Sequence, residues 1–242
     1  MVKKKRKDMN MSTQAEPSVT AVIVAAGNGR RMGGAAKPFL PLCGRPVLAY
    51  VLDAFAHCPL VTEIVVVTRP NEMAEAGKIG RAYKKFAGVV PGGSTRQLSV
   101  RAGLERASGD YLAIHDGARP LVSLACIERA IRAAFVCGAA AAAVKVKDTI
   151  KVTDDWGYVM QTPERARLWA VQTPQVFKKA LLLRAFAAAE AVDADYTDDC
   201  QLVEAIGGRV RLVEGDYANL KITTPEDMDA AAALLRKKGT QA

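Results

Sequence analysis

The sequence predicts an α/β protein with a mostly parallel sheet and helices on both faces. Three observations carry that expectation. The first is a continuous apolar run, VTAVIVAA at 19–26, with the length and branched-residue content of a strand buried on both faces. The second is the alternation of such runs with segments of helical spacing, which implies parallel strands joined by crossover helices. The third is the placement of glycine-rich turns directly after strands, at 25–29 and 91–94, because ligands in open α/β sheets bind at that edge.

The elements follow in order. Residues 46–58 (PVLAYVLDAFAHC) have helical apolar spacing, and EIVVVT at 63–68 is a strand. Residues 71–86 are expected to be helical, and GVVPGGS at 88–94 a short strand that ends in a turn. Residues 95–107 (TRQLSVRAGLERA) form a helix with one apolar face, with Ser94 or Thr95 as its cap. YLAIHDGARP at 111–120 is a strand running into a loop, and Ser123 caps a helix at 123–135. The alanines that follow favour helix, yet Gly138 closes the preceding helix and Val-Lys-Val comes next, so 139–146 reads as a strand. Residues 148–162 break the alternation: two short polar strands around Asp154-Asp155-Trp156-Gly157 form a hairpin too polar to be central. Helices at about 178–192 and 198–206, a strand at 209–214 and a last helix from Pro225 to Lys237 complete the chain.

Composition narrows the class. Half of the 242 residues are hydrophobic and no apolar run reaches spanning length, so no membrane segment is expected. The formal charge is +9, and Lys3, Lys4, Lys5, Arg6 and Lys7 hold much of it. Residues 1–18 lack the apolar core of a secretory signal and read as a disordered basic tail before one domain at 19–240. With nothing aromatic or structured beside it, this tail is not expected to bind nucleic acid. Five cysteines, odd in number and never in C-x-x-C spacing, fit reduced thiols in the cytoplasm rather than disulfides or a zinc site.

The stretch AAGNGRRMGGAAKPFL at 25–40 carries the first chemical signal. A dinucleotide fingerprint fails because Met32 stands at the third glycine position, and a P-loop fails because Gly-Lys-Ser/Thr never occurs. What remains is a loop whose backbone N–H groups wrap phosphates, with Arg31 and Lys37 as cations. Gly92 and Gly93, with Ser99 one turn into the next helix, stand at the same sheet edge. In HDGARP, Asp116 at a strand end suits a ribose hydroxyl or a metal-bound water, and Arg119 suits a phosphate; His115 reads as a strand-end residue with a satisfied ring. Four further fragments place polar groups at element ends: Lys147-Asp148-Thr149, Thr173-Pro174-Gln175, Tyr196-Thr197-Asp198-Asp199 and Asn219-Leu220-Lys221-Ile222-Thr223. No G-x-S-x-G or H-E-x-x-H occurs, which argues against a side-chain nucleophile. A reaction that needs none is attack of one phosphate on another, since a phosphomonoester is ionised near neutral pH and requires no base. Such an enzyme positions two polyanions and stabilises the charge of the transition state.

Taken in order, AAGNGRRM, PGGSTRQLSV, HDGARP, KDTI, LWAVQTPQ, YTDD and NLKIT resemble the 2-C-methyl-D-erythritol 4-phosphate cytidylyltransferases of the non-mevalonate isoprenoid pathway, from about Val19 to Leu235. The resemblance implies a Rossmann-like nucleotidyltransferase fold with a protruding β-hairpin arm at about 148–166, and a homodimer made through that arm. It implies CTP and a sugar-alcohol phosphate as substrates and Mg²⁺ or another divalent cation as cofactor, held mainly by the CTP phosphates with Asp116 reaching it through water. Arg31, Lys37, Arg165 and Lys221 match the catalytic residues, the first two as stabilisers of the transition state and the last two as holders of the methylerythritol phosphate. Ala25, Ala26, Gly27, Gly29, Gly92, Gly93, Ser99 and Asp116 match the CTP site, with Arg31 and Lys37. Arg119, Thr149, Thr173 and Thr197 match the second-substrate pocket, with Asp116, Arg165 and Lys221. The chain departs from the family in Ala36-Lys37-Pro38, where Pro-Lys-Gln is common, and in a loop before Lys37 that is one residue short. A ribitol 5-phosphate cytidylyltransferase and an inactive nucleotidyltransferase-like binding module are the alternatives; KDTI, Arg165 and the Thr-Pro-Gln stretch favour methylerythritol.

Overall fold

The computed structural model describes residues 16–27 and 36–239. In chain order it holds β1 (Val19–Val24), a 3-10 turn (Lys37–Phe39), β2 (Pro41–Leu42), β3 (Arg45–Pro46), α1 (Val47–His57), β4 (Glu63–Thr68), a 3-10 turn (Pro70–Glu72), α2 (Met73–Gly80) and β5 (Phe86–Pro91). Next come α3 (Arg96–Arg106), β6 (Tyr111–Asp116), α4 (Leu124–Cys137), β7 (Ala139–Lys145), β8 (Val152–Thr153), β9 (Val159–Gln161) and a 3-10 turn (Arg165–Arg167). The chain continues through β10 (Trp169–Lys178), α5 (Lys179–Ala191), α6 (Asp199–Ala205), β11 (Arg211–Glu214) and α7 (Pro225–Gly239). Residues 1–15 of the expected tail lie outside the described residues, as do Gly29 and Arg31. Ser18 is tied to the sheet edge: its N–H and hydroxyl donate to Asp110 Oδ2 at 3.0 and 2.7 Å.

Seven strands make the central sheet in the order β11-β7-β10-β6-β1-β4-β5. All pairings are parallel except those of β10, which runs antiparallel to both of its neighbours. Alternation along β1 divides the core. Val19, Ala21 and Ile23 share one cluster with Leu48, Leu52 and Phe55 of α1 and Ile127 and Ile131 of α4. Val22 faces the other way, into a cluster with Val100 and Leu104 of α3 and Leu182 and Phe186 of α5. Each fully buried Val, Leu, Ile or Phe among them contributes about 1.5–3 kcal/mol, so both faces of the sheet are committed to helices. Gly103 sets the depth of α3, because a Cβ there would collide with Val22 and crowd Val67. No helix among the described residues is long and apolar enough to cross a membrane.

The expected alternation is present, including the alanine strand: Ala139–Ala143 are fully buried in β7, and Gly138 caps α4 at φ +83°. The hairpin at 148–162 forms as β8 and β9, with Asp154 Oδ1 accepting from the N–H groups of Trp156 and Tyr158 at 3.1 and 2.8 Å. Two expectations need correction. The helix expected over 71–86 is shorter, because α2 stops at Gly80, where the Phe86 ring fills the space a side chain would need, and Phe86 already belongs to β5. The larger difference is β10, a ten-residue strand near the middle of the sheet that the sequence reading does not contain. Gln172-Thr173-Pro174-Gln175 breaks its apolar pattern, and proline argues against a central strand. At that point the register on β7 shifts between Val171 and Gln175, and the Thr173–Pro174 peptide is cis.

Candidate active site

The carboxyl ends of β1, β4, β5 and β6 open into one cavity of about 570 Å³. Ala25, Ala26, Gly27, Lys37, Gly92, Gly93, Ser99, Asp116 and Lys221 all line it, so residues nearly two hundred positions apart meet at one sheet edge. The parallel order of β4, β1 and β6 aims these loops the same way, as expected for an open α/β sheet. The turn after β5 is built to stay open. Gly92 packs against Ala26 and Ser99 with no room for a Cβ. Ser99 Oγ accepts from the Gly93 N–H at 3.2 Å and donates to the Thr95 carbonyl at 2.9 Å. Thr95, not Ser94, caps α3, its hydroxyl accepting from the Leu98 N–H at 3.1 Å. The positive end of α3 therefore faces the cavity.

Asp116 is the electrostatic centre. Lys221 Nζ and Arg119 Nε lie 3.0 and 3.1 Å from its Oδ2, and Arg96 Nε lies 3.7 Å from its Oδ1. Burial alone would raise its pKa, but Lys221, Arg96 and Arg119 outweigh burial and hold the carboxyl well below the usual carboxylate range. The three cations are thus gathered on one anion in a site that carries net positive charge, the balance a polyphosphate requires.

Behind Asp116 lies a chain of hydrogen bonds. The Asp116 N–H donates to Thr173 Oγ1 at 3.1 Å, and Thr173 Oγ1 lies 2.9 Å from His115 Nδ1. His115 Nε2 lies 3.1 Å from the Arg119 carbonyl. A carbonyl only accepts, so Nε2 carries the proton, Nδ1 accepts, and the Thr173 hydroxyl donates to it. Burial pushes the His115 imidazole down to about 4, which keeps the ring neutral, and the Arg119 carbonyl fixes this tautomer. His115 is therefore the satisfied strand-end residue expected from the sequence, and it sets the backbone on both sides of Asp116. Thr173 spends its hydroxyl inside this chain rather than at the cavity surface.

Arg96 and Arg69 also line the cavity, and sequence reasoning singled out neither. Arg96 donates from Nη2 to Asp199 Oδ2 at 2.8 Å. Asp199 is fully buried; burial outweighs the pull of Arg96 and raises its pKa. Its backbone N–H donates to Gln175 Oε1 at 3.1 Å, and Gln175 Nε2 donates to Asp198 Oδ2 at 3.2 Å. A signal was present: a cation in the first turn of a helix opposes the helix dipole, so such an arginine needs a reason to be there. Arg69 is held by Glu72, which also accepts from the Thr68 hydroxyl at 2.9 Å.

Other expected residues sit elsewhere. Arg119 joins the Asp116 cluster and donates from Nη1 to the Asn219 carbonyl at 2.7 Å. Thr149 and Arg165 are exposed at the base of the arm, where Arg165 Nη1 donates to the Lys147 carbonyl at 3.0 Å. Thr197 is exposed before α6 and donates to Gln201 Oε1 at 3.1 Å. None of these last three lines the cavity. Beyond the arm's base, Trp156 is 83% exposed, and Tyr158, Val159 and Met160 are exposed with it. Among the described residues no three His, Cys, Asp or Glu side chains cluster as a metal cage, and Asp116 is the one carboxylate on the cavity wall.

Comparison with known proteins is consistent with this geometry. The family model described as IspD: 2-C-methyl-D-erythritol 4-phosphate cytidylyltransferase matches residues 19–237. The 2-C-methyl-D-erythritol 4-phosphate cytidylyltransferase of Desulforamulus reducens is 49% identical over 227 residues, covering 91% of this chain and 97% of its own. Among solved structures, the 4-diphosphocytidyl-2C-methyl-D-erythritol synthase of Anaerococcus prevotii superposes with a TM-score of 0.84 at 34% identity, over 91% of this chain and 97% of its own. The 2-C-methyl-D-erythritol 4-phosphate cytidylyltransferase of Thermus thermophilus does so with a TM-score of 0.75 at 37% identity, over 89% and 98%.

Proposed function

The chain belongs to the 2-C-methyl-D-erythritol 4-phosphate cytidylyltransferase family, and from that premise we propose how its own residues perform the reaction. CMP passes from CTP to 2-C-methyl-D-erythritol 4-phosphate, giving 4-diphosphocytidyl-2-C-methyl-D-erythritol and pyrophosphate in isoprenoid biosynthesis. One observation carries the residue-level reading: Ala25–Gly27 and Gly92–Gly93 share one cavity with Lys37, Arg96, Asp116 and Lys221.

The nucleotide lies along that edge. The Gly92–Gly93 turn and Ser99 hold its base end, and Lys37 and the loop before it hold the triphosphate. The acceptor phosphate arrives ionised and attacks the α-phosphorus; the bond to the bridging oxygen breaks and pyrophosphate leaves. Lys37 and Arg31 stabilise the charge that develops, with Lys37 on the cavity wall. Lys221 leaves Asp116 for the acceptor phosphate, with Arg119 beside it and Arg165 and Thr149 completing the pocket from an arm.

Magnesium fits this donor set, since one carboxylate on the wall plus phosphate oxygens is how that ion is commonly held. Asp116 would be that carboxylate, and the ion would supply neutralisation of the phosphate charge. The exposed apolar residues Trp156, Tyr158, Val159 and Met160 support a homodimer made through the arm, so that Arg165 serves the site of the neighbouring copy. The unpaired cysteines support a cytoplasmic location.

The test is pyrophosphate release from CTP with methylerythritol phosphate, with ribitol phosphate, and with no acceptor. Release is expected with the first alone. Equal release with ribitol phosphate would move the substrate assignment, and none with either would return the chain to a binding module.

A further inference from the structure

Where β7 ends, the chain leaves the sheet for the arm, and the neck of the arm is closed by the Val146 N–H donating to the Leu168 carbonyl at 3.2 Å. Arg165 Nη1 ties the returning side to the Lys147 carbonyl at 3.0 Å. A second loop, 215–224, carries Lys221. It is fixed on its inner side: Gln172 Nε2 donates to the Asp216 carbonyl at 2.9 Å, Arg119 to that of Asn219 at 2.7 Å, and the Ile222 N–H to that of Ala118 at 2.8 Å. Its one exposed aromatic residue is Tyr217, which is 52% exposed. Tyr217 Oη donates to the Lys145 carbonyl at 2.7 Å, and Lys147 Nζ sits 3.7 Å above the centre of its ring.

A half-exposed tyrosine that spends both its hydroxyl and its ring on one neighbouring segment adds little to a core and much to a geometry. We propose that Tyr217 and Lys147 form a clasp that fixes the base of the arm against the Lys221 loop, making Tyr217 a positioning residue for the sugar-alcohol phosphate and not for CTP. The proposal rests on the reading that Thr149, Arg165 and Lys221 serve the acceptor. Thr149 is two residues beyond Lys147, Arg165 is bonded to the Lys147 carbonyl, and Lys221 is four residues beyond Tyr217. The clasp therefore fixes the line along which the arm leaves the Lys221 loop of its own subunit, and with it where Thr149 and Arg165 meet the acceptor phosphate in the neighbouring copy. On the same reading CTP is held at Gly92, Gly93 and Ser99, and Tyr217 does not line the cavity that these residues share.

Two readouts on the full chain test this with Tyr217→Ala and Tyr217→Phe. Hydrogen exchange at the Val146 amide reports the neck directly, whether or not the enzyme turns over. It is expected to quicken about tenfold in Tyr217→Ala, the loss of one neutral hydrogen bond and an exposed cation–π contact. Tyr217→Phe keeps the ring over Lys147 and is expected to lie between. Steady-state kinetics then separate the substrates: in Tyr217→Ala, KM for methylerythritol phosphate rises about tenfold while KM for CTP stays within about twofold, and Tm falls by no more than about 5 °C. Unchanged exchange in Tyr217→Ala overturns the clasp. Faster exchange with both KM values unchanged, or a fall in Tm with equal losses for both substrates, overturns the positioning role. If the wild-type chain fails to use the sugar phosphate, the acceptor reading has failed, and the exchange result still decides the clasp.

Discussion

Replacing Thr173 by valine tests the chain of hydrogen bonds behind Asp116. The side chain is 3% exposed, and its hydroxyl serves two neighbours, accepting from the Asp116 N–H and donating to His115 Nδ1. Valine keeps the shape and removes the hydroxyl, leaving a buried donor and a buried acceptor bare. Each costs about 1–3 kcal/mol, and with partial relaxation the pair is worth about 2–4 kcal/mol. A chain of this size shifts in Tm by about 2–4 °C per kcal/mol, so a fall of about 5–15 °C is expected. Thr173→Ser is the control: it keeps the hydroxyl and loses a methyl group, at about 1 kcal/mol. Thermal unfolding of the two variants beside the wild type gives the answer. If Thr173→Val melts within a degree or two of Thr173→Ser, the hydroxyl is not part of a buried network and the assigned His115 tautomer is wrong. Activity adds a second reading. Because Thr173 fixes the backbone of Asp116, Thr173→Val is expected to lower kcat even at temperatures where it stays folded, while Thr173→Ser retains most of it.

Three more outcomes follow from the same geometry. Lys37→Ala is expected to lower kcat by about 100-fold while CTP still binds, as for removal of one preorganised donor; near-normal kcat rules out its transition-state role. Burial holds the His115 pKa down to about 4, so the unfolded chain takes up this proton first. Its contribution of about 3 kcal/mol is complete above pH about 6.5 and is lost as pH falls through 4. NMR titration of the His115 ring with a midpoint near 6.5 would contradict this. Finally, Arg165→Ala and Lys221→Ala variants are each expected to be nearly inactive, and, if the proposed homodimer forms with Arg165 acting across it, mixing them is expected to restore roughly a quarter of all sites; verified heterodimers without recovery would place Arg165 in its own chain's site.

The sequence made the parallel part of the fold legible because its signals are local. β1 is six residues with apolar side chains on both faces, and Ser123 and Gly138 mark the ends of α4 by their own chemistry. Even the alanine strand was readable, since Gly138 at φ +83° stops the helix that alanine would otherwise extend. β10 was not legible, and the reason is non-local. Its centre, Gln172-Thr173-Pro174-Gln175, is poor strand sequence by any local measure. What places it there is what its side chains do once buried: Gln172 holds Asp216, Thr173 holds Asp116 and His115, and Gln175 holds Asp198 and Asp199. A run of polar residues that breaks a strand pattern is, here, the wall behind the candidate site.

The same distinction separates the site residues that were legible from those that were not. Gly92 and Asp116 stand at strand ends, Lys37 in the 3-10 turn that follows β1 and Ser99 one turn into α3, so local topology carries them to the cavity. Arg96 is reached by a different argument. It stands in the first turn of α3, where its charge opposes the helix dipole, and its partner Asp199 is more than a hundred residues away and fully buried. No local pattern joins two such residues, yet neither is stable in place without the other: the buried carboxylate needs a cation, and the cation needs an anion at a helix N-terminus. Arg96 also faces Asp116 at 3.7 Å, so it shares its charge between a structural carboxylate and the one at the centre of the cavity. The balance of charge around Asp116 is therefore set partly from α6, outside every glycine-rich loop that first drew attention to the site.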